Sequence, residues 1–212
     1  MNLIKVTLLF ITITLLGATL LDRVHAHNHS ADDAGSLKAP EDFKHLSSEE
    51  AYSKAVFKEL GKVIQHPRCI NCHVEDVLLQ GDDQKPHMPP VERGLADIGV
   101  PGMMCSTCHG ADNVDVKEDW SMPGHAPWKA APIKQKWLGK SLSEICAQLK
   151  DPERNGGKSL DAVVKHIAED GLVGWGFHPG KGREKAPGTQ EEAGALAKAW
   201  VKSGAHCPSQ SM

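Results

Sequence analysis

Cys69-Ile70-Asn71-Cys72-His73 and Cys105-Ser106-Thr107-Cys108-His109 are two copies of one pattern, C-x-x-C-H, in a chain of 212 residues. The reading of these ten residues decides how the rest is understood. A redox dithiol would sit in a strand–helix–strand setting, which neither copy has, and would not call for histidine next in both. A zinc site made from paired C-x-x-C units leaves both histidines unexplained. A disulfide closed within C-x-x-C is strained.

Covalent haem attachment uses every fixed position of both copies. The thiols add across the two vinyl groups as thioethers, and the two-residue gap matches the porphyrin edge. The adjacent histidine then lies beneath the iron as its proximal ligand. The expected cofactors are therefore two covalently bound haem c, attached through Cys69, Cys72, Cys105 and Cys108, with His73 and His109 on the irons. The short linker between the copies should hold the two macrocycles close together.

Each iron then needs a sixth ligand, and histidine and methionine both serve haem. His87 lies between the motifs in Lys85-Pro86-His87-Met88-Pro89-Pro90, a rigid loop that suits a ligand better than a core residue. His166 stands beside Val163 and Ile167 near the apolar edge of a helix, where a core histidine is an equal alternative. His87 and His166 are the expected distal ligands, with no assignment of either to an iron. His66 could reach the neighbouring haem, and His125 and His178 are reserves. Met88 and Met122 lie in proline-rich loops and stay open as candidates; Met103 and Met104 suit packing better.

The two remaining cysteines, Cys146 and Cys207, form an even remainder. One disulfide is expected if the chain is exported, with two free buried thiols as the alternative.

The address is written at the N-terminus. Lys5 precedes an uncharged run from Val6 to Leu21, and Val24-His25-Ala26 supplies a cleavage site. Residues 1–26 read as a signal peptide, and the protein is expected to be exported and periplasmic. A membrane association would come only from an uncleaved signal. Residues 1–26 hold Lys5, Arg23 and Asp22, so cleavage takes the formal charge from -3 to -4. Such mild acidity does not suggest nucleic acid. Residues 27–45 read as a flexible polar tail, and 46–208 as the haem-bearing domain.

Four helices are expected. The first runs over 48–65, behind a capping box of Ser47 and Glu50, and ends at His66-Pro67. A second follows the Ser141/Glu144 box up to Pro152. A third starts at Ser159 and closes at Gly171. A fourth follows the Thr189/Glu192 box up to Gly204. Residues 80–102, 119–132 and 174–188 read as loops, and no strand alternation stands out. The expected fold class is mostly α with long irregular loops, a small diheme cytochrome c organised around two covalent haems. Loops this long need something other than side chains to hold them. Two apolar porphyrins would supply it, and the apo-protein is expected to be largely unfolded.

Beyond the haem motifs the chain resembles the small diheme proteins labelled as isoquinoline 1-oxidoreductase-associated subunits. The residues that carry the resemblance are His66-Pro67-Arg68-Cys69, Arg93-Gly94, Gly102 to His109, Leu149-Lys150-Asp151, Asn155-Gly156-Gly157, Leu172 to Gly176, Pro179-Gly180 and Gly204 to Pro208. Phe177-His178 departs from the tryptophan-rich segment of that group. The resemblance implies an electron carrier serving a periplasmic dehydrogenase. Redox partner proteins follow, with a dehydrogenase as donor and a cytochrome or oxidase as acceptor. No catalytic role is expected. The alternative is a peroxidase-type diheme enzyme with one open iron. The basic loop of Lys181, Arg183 and Lys185 is a candidate docking element for an acidic partner.

Overall fold

A computed structural model describes residues 35–209. The expected signal peptide and the first part of the expected tail lie outside these residues. Helix α1 (Glu49–Ile64) opens on Ser48, whose Oγ accepts the Ala51 N–H at 3.1 Å. The cap is therefore Ser48 rather than Ser47. Glu50 is engaged by Lys54 one turn on instead of reaching back. Ser48→Ala should cost about 1 kcal/mol of stability, read from the denaturant midpoint, and Ser47→Ala should cost little.

Helix α2 (Pro67–Ile70) follows at once, with Pro67 at its first position. The other helices are α3 (Leu142–Leu149), α4 (Leu160–Glu169), α5 (Gly171–Trp175) and α6 (Gln190–Lys202). The boxes at Ser141/Glu144 and Thr189/Glu192 are formed, and Ser159 caps α4. Gly171 does not close α4 but opens α5. Asp170 stands between them and accepts the Leu172 and Val173 N–H groups on one carboxylate oxygen.

Three two-stranded antiparallel ladders join the six helices, so the described chain is mixed in composition rather than simply α. Leu79–Gln80 (β1) pairs with Lys85–Pro86 (β2), Gly99–Val100 (β3) with Met103–Met104 (β4), and Val114–Lys117 (β5) with Trp120–Met122 (β6). Pro101-Gly102 makes the tight β3–β4 connection. Proline fixes the first corner, and Gly102 adopts φ 86°, which a side chain would resist.

The side-chain core lies among α1, α3, α4 and α6. Val56, Phe57, Leu60, Ile145, Leu196 and Trp200 are fully buried there. Phe57 and Trp200 meet with ring centres 4.7 Å apart. A disulfide between Cys146 and Cys207 ties α3 to the chain end. The segment expected as a tail joins this core at its far end. Leu37 is buried, and the Lys38 N–H donates to Glu59 Oε1 at 2.9 Å.

The motif-bearing stretch is built differently. Between Ile70 and Trp137 the only buried apolar side chains are Val74 and Ala130. Among the described residues, all the large exposed apolar ones, Val77 and Leu95 among them, lie between positions 77 and 138. A segment of this length with two small buried apolar groups gains too little from burial to offset its ordering. This part of the chain therefore holds few apolar contacts of its own.

Candidate functional site

Both pentapeptides close a single helical turn. In the first, the N–H groups of Cys72 and His73 both donate to the Cys69 carbonyl at 3.2 Å. In the second, the Cys105 carbonyl receives Cys108 at 3.3 Å and His109 at 2.9 Å. One turn of this kind sets the two thiols and the imidazole on one patch of backbone. All four thiols are unpaired, so neither motif holds an internal disulfide. Burial pushes the Cys69 thiol up to about 12 and Cys72 up to about 11, and it raises Cys105 as well. Among the described residues no three His, Cys, Asp or Glu side chains converge as a metal site, so the thiols do not form a zinc tetrad.

The two motif histidines have the same surroundings, though they are reached from different loops. His73 Nδ1 lies 2.7 Å from the Gln135 carbonyl, and its ring stacks on Trp137 at 3.5 Å with the planes 4° apart. His109 Nδ1 lies 2.8 Å from the Pro123 carbonyl, and its ring stacks on Trp128 at 4.3 Å with the planes 5° apart. A carbonyl only accepts, so each Nδ1 carries the proton and each Nε2 presents a lone pair. That tautomer, fixed by a backbone carbonyl, is how a metal-ligating histidine is held. Burial favours the same neutral form. It pushes His73 down to about 4 and lowers His109.

His87 and His166 share the pattern. His87 Nδ1 is 2.9 Å from the Pro89 carbonyl, and His166 Nδ1 is 3.3 Å from Asp170 Oδ2. The ring centres of His87 and His109 stand 6.0 Å apart. Two imidazoles on opposite faces of one metal, each bonded at about 2 Å, place their ring centres roughly 6 Å apart. His166 is grouped with the other motif. It lines one small cavity with His73, Trp137 and Gln148.

The reserve ligands fare differently. His66 Nδ1 accepts the Arg68 N–H as the cap of α2, so its proton sits on Nε2, the wrong tautomer for a ligand there. His125 lies against Gly171 with Nδ1 buried and unpartnered. His178 is exposed and Met88 is 66% exposed.

The chemistry of the surrounding donors fits a haem. Arg68 precedes the first cysteine, is 6% exposed, and holds Asp82 at 2.5 Å through Nη2. Its buried Nε has no acceptor in the protein. A haem propionate is an acceptor of suitable charge for such a donor.

Comparison with protein families, characterised proteins and solved structures finds no match to this chain.

Sequence reasoning missed Trp128 and Trp137, and the asparagine that lies behind Trp128 by way of Trp175. Trp128 meets Trp175 edge-on at 4.8 Å, and Trp175 Nε1 donates to Asn113 Oδ1 at 2.9 Å. The available signal was composition: five tryptophans against one tyrosine in a chain poor in aromatics. Arg183, a candidate docking residue, is turned inward to the Ser121 and Pro179 carbonyls and lies over Trp120.

Proposed function

We propose that this chain is an exported diheme c-type cytochrome that carries electrons from a periplasmic dehydrogenase to a cytochrome or oxidase. The observation that carries the reading is the matched pair of histidines at the ends of the two pentapeptides. Each is held through Nδ1 by a backbone carbonyl, each is stacked flat on a tryptophan, and each has Nε2 without a protein partner. Cys69 and Cys72 would hold one haem, Cys105 and Cys108 the other. The bound haems supply reversible one-electron iron chemistry. His73 and His109 hold the proximal faces, and the prolyl and glutaminyl carbonyls keep them neutral and aimed. His87 faces His109 across the spacing that a six-coordinate iron asks for, and His166 serves the His73 side. A filled sixth position favours outer-sphere electron transfer over chemistry at an open iron. The near-absence of a side-chain core between Ile70 and Trp137 supports the same reading.

The test is expression in a host that matures c-type cytochromes. The purified protein should gain two porphyrin masses, show low-spin spectra in both redox states, and ignore carbon monoxide. The pair Cys105→Ser with Cys108→Ser should retain one porphyrin. Absence of any mass gain would end this reading, and a high-spin haem that binds carbon monoxide would favour the peroxidase-type alternative.

A further inference from the structure

Arg93 lies between the two pentapeptides and is almost wholly buried, at 8% exposure. Every N–H of its guanidinium has an acceptor. Nε donates to the Glu75 carbonyl at 3.1 Å. Nη2 donates to Val74 at 2.6 Å and Glu75 at 2.8 Å. Nη1 donates to Asp97 Oδ1 at 2.7 Å and to the Ala131 carbonyl. Val74 and Glu75 directly follow His73. Ala131 offers backbone and Asp97 its carboxylate from two other segments, so one side chain gathers three stretches of the chain.

Those stretches form a bridge from one motif to the other. The Cys72 carbonyl accepts the Ala131 N–H at 3.0 Å. The Ala130 N–H donates to the Asp97 carbonyl at 2.9 Å. The next carbonyl, that of Ile98, accepts the Cys105 N–H at 2.9 Å. Arg93 itself is bound into the bridge through its carbonyl, which takes the Gly99 N–H at 2.9 Å. The second cysteine of one motif and the first of the other are thus joined by three backbone hydrogen bonds and the few peptide units between them.

We propose that Arg93 is a positioning residue that sets the distance and angle between the two haems, by pinning the bridge from Cys72 to Cys105. This rests on the diheme reading above. A planar fork with five fixed donors can satisfy carbonyls on two segments and a carboxylate on a third at once. An ammonium, with three donors on one atom, cannot reproduce that fork. Few apolar side chains in this half are available to hold the same geometry instead.

Two porphyrins fixed close together couple their Soret transitions and give a bisignate circular-dichroism band. Its amplitude depends on their mutual angle and distance. The wild-type holoprotein should show such a band. Arg93→Lys and Arg93→Ala should both lose most of its amplitude, while far-ultraviolet dichroism and a mass gain of two porphyrins are retained. The failure of lysine to rescue separates the fork geometry from charge. Should these variants not mature, Asp97→Asn weakens one partner of the fork and tolerates the φ of 61° at that position. It should give a smaller loss of the same kind. An undiminished band in any of these variants with two porphyrins bound, or the absence of the band in a wild type bearing two porphyrins, would overturn the proposal and leave the diheme reading standing. No porphyrin in the wild type would remove that reading instead.

Discussion

If the chain carries two haems as proposed, replacing His87 with alanine is expected to convert one of them, and only one, into a high-spin species that binds carbon monoxide. His87 reaches 6.0 Å, ring centre to ring centre, from His109, and Pro89 fixes its protonated nitrogen. Its sequence neighbour Met88 is largely exposed, and Met103 on the β3–β4 hairpin is 43% exposed. The carbon monoxide adduct of reduced His87→Ala should therefore account for half of the haem. His166→Ala should produce the complementary half, and the double variant both. Low-temperature EPR of the oxidised proteins would show one low-spin signal disappearing in each single variant. Two undisturbed low-spin haems in His87→Ala would show that another side chain holds the sixth position opposite His109. Loss of a histidine ligand should also move that haem's reduction potential, since the axial pair is a main determinant of it.

Breaking the Cys146–Cys207 bond should be the largest purely structural perturbation. It closes a loop between residues 61 positions apart, and in the chain-entropy model such a loop contributes roughly 4 kcal/mol. Cys207→Ser is the cleaner variant, because Cys207 is partly exposed whereas Cys146 is fully buried and a hydroxyl there would carry its own penalty. For a chain of this size the loss corresponds to a fall of about 10 °C in the melting midpoint. A thiol reductant should give the same fall in the wild type and none in Cys207→Ser. Thiol exchange would leave thioether links to haem intact, so the only covalent cysteine bond described here that it opens is this one. An unchanged midpoint in both experiments would mean that native contacts already hold the chain end.

The parts of this protein that were legible in the sequence are those with local causes. Ser141 with Glu144 and Thr189 with Glu192 mark helix starts because the capping bonds span three residues. The Ser47-Ser48-Glu49-Glu50 run was ambiguous by one residue, and the choice fell to the pairing of Glu50 with Lys54. Gly171 looked like a helix stop, but the carboxylate of Asp170 turns it into a start. The hairpins were invisible because strands of two to four residues are too short to show alternation. Candidate ligands His87 and His166 could be picked by their loop and helix settings, yet their grouping with particular motifs depends on chain paths that no local pattern encodes. Arg93 and the two stacking tryptophans were out of reach for the same reason. Their partners lie in other segments, and one arginine or tryptophan looks like any other until the fold brings those segments together. Phe57, Leu60, Ile145 and Trp200 pack in one core cluster, whereas between Ile70 and Trp137 only Val74 and Ala130 are buried apolar side chains.

That division of labour sorts the six sulfurs. During oxidative folding any two free cysteines can join, and a wrong pair would block attachment. Cys146 is out of that competition in the folded chain, fully buried among the helices and bonded to Cys207. The other four stay unpaired in the two C-x-x-C-H turns, Cys69 against the edge of the core and Cys108 exposed, and on the proposed reading these are the thiols left for haem.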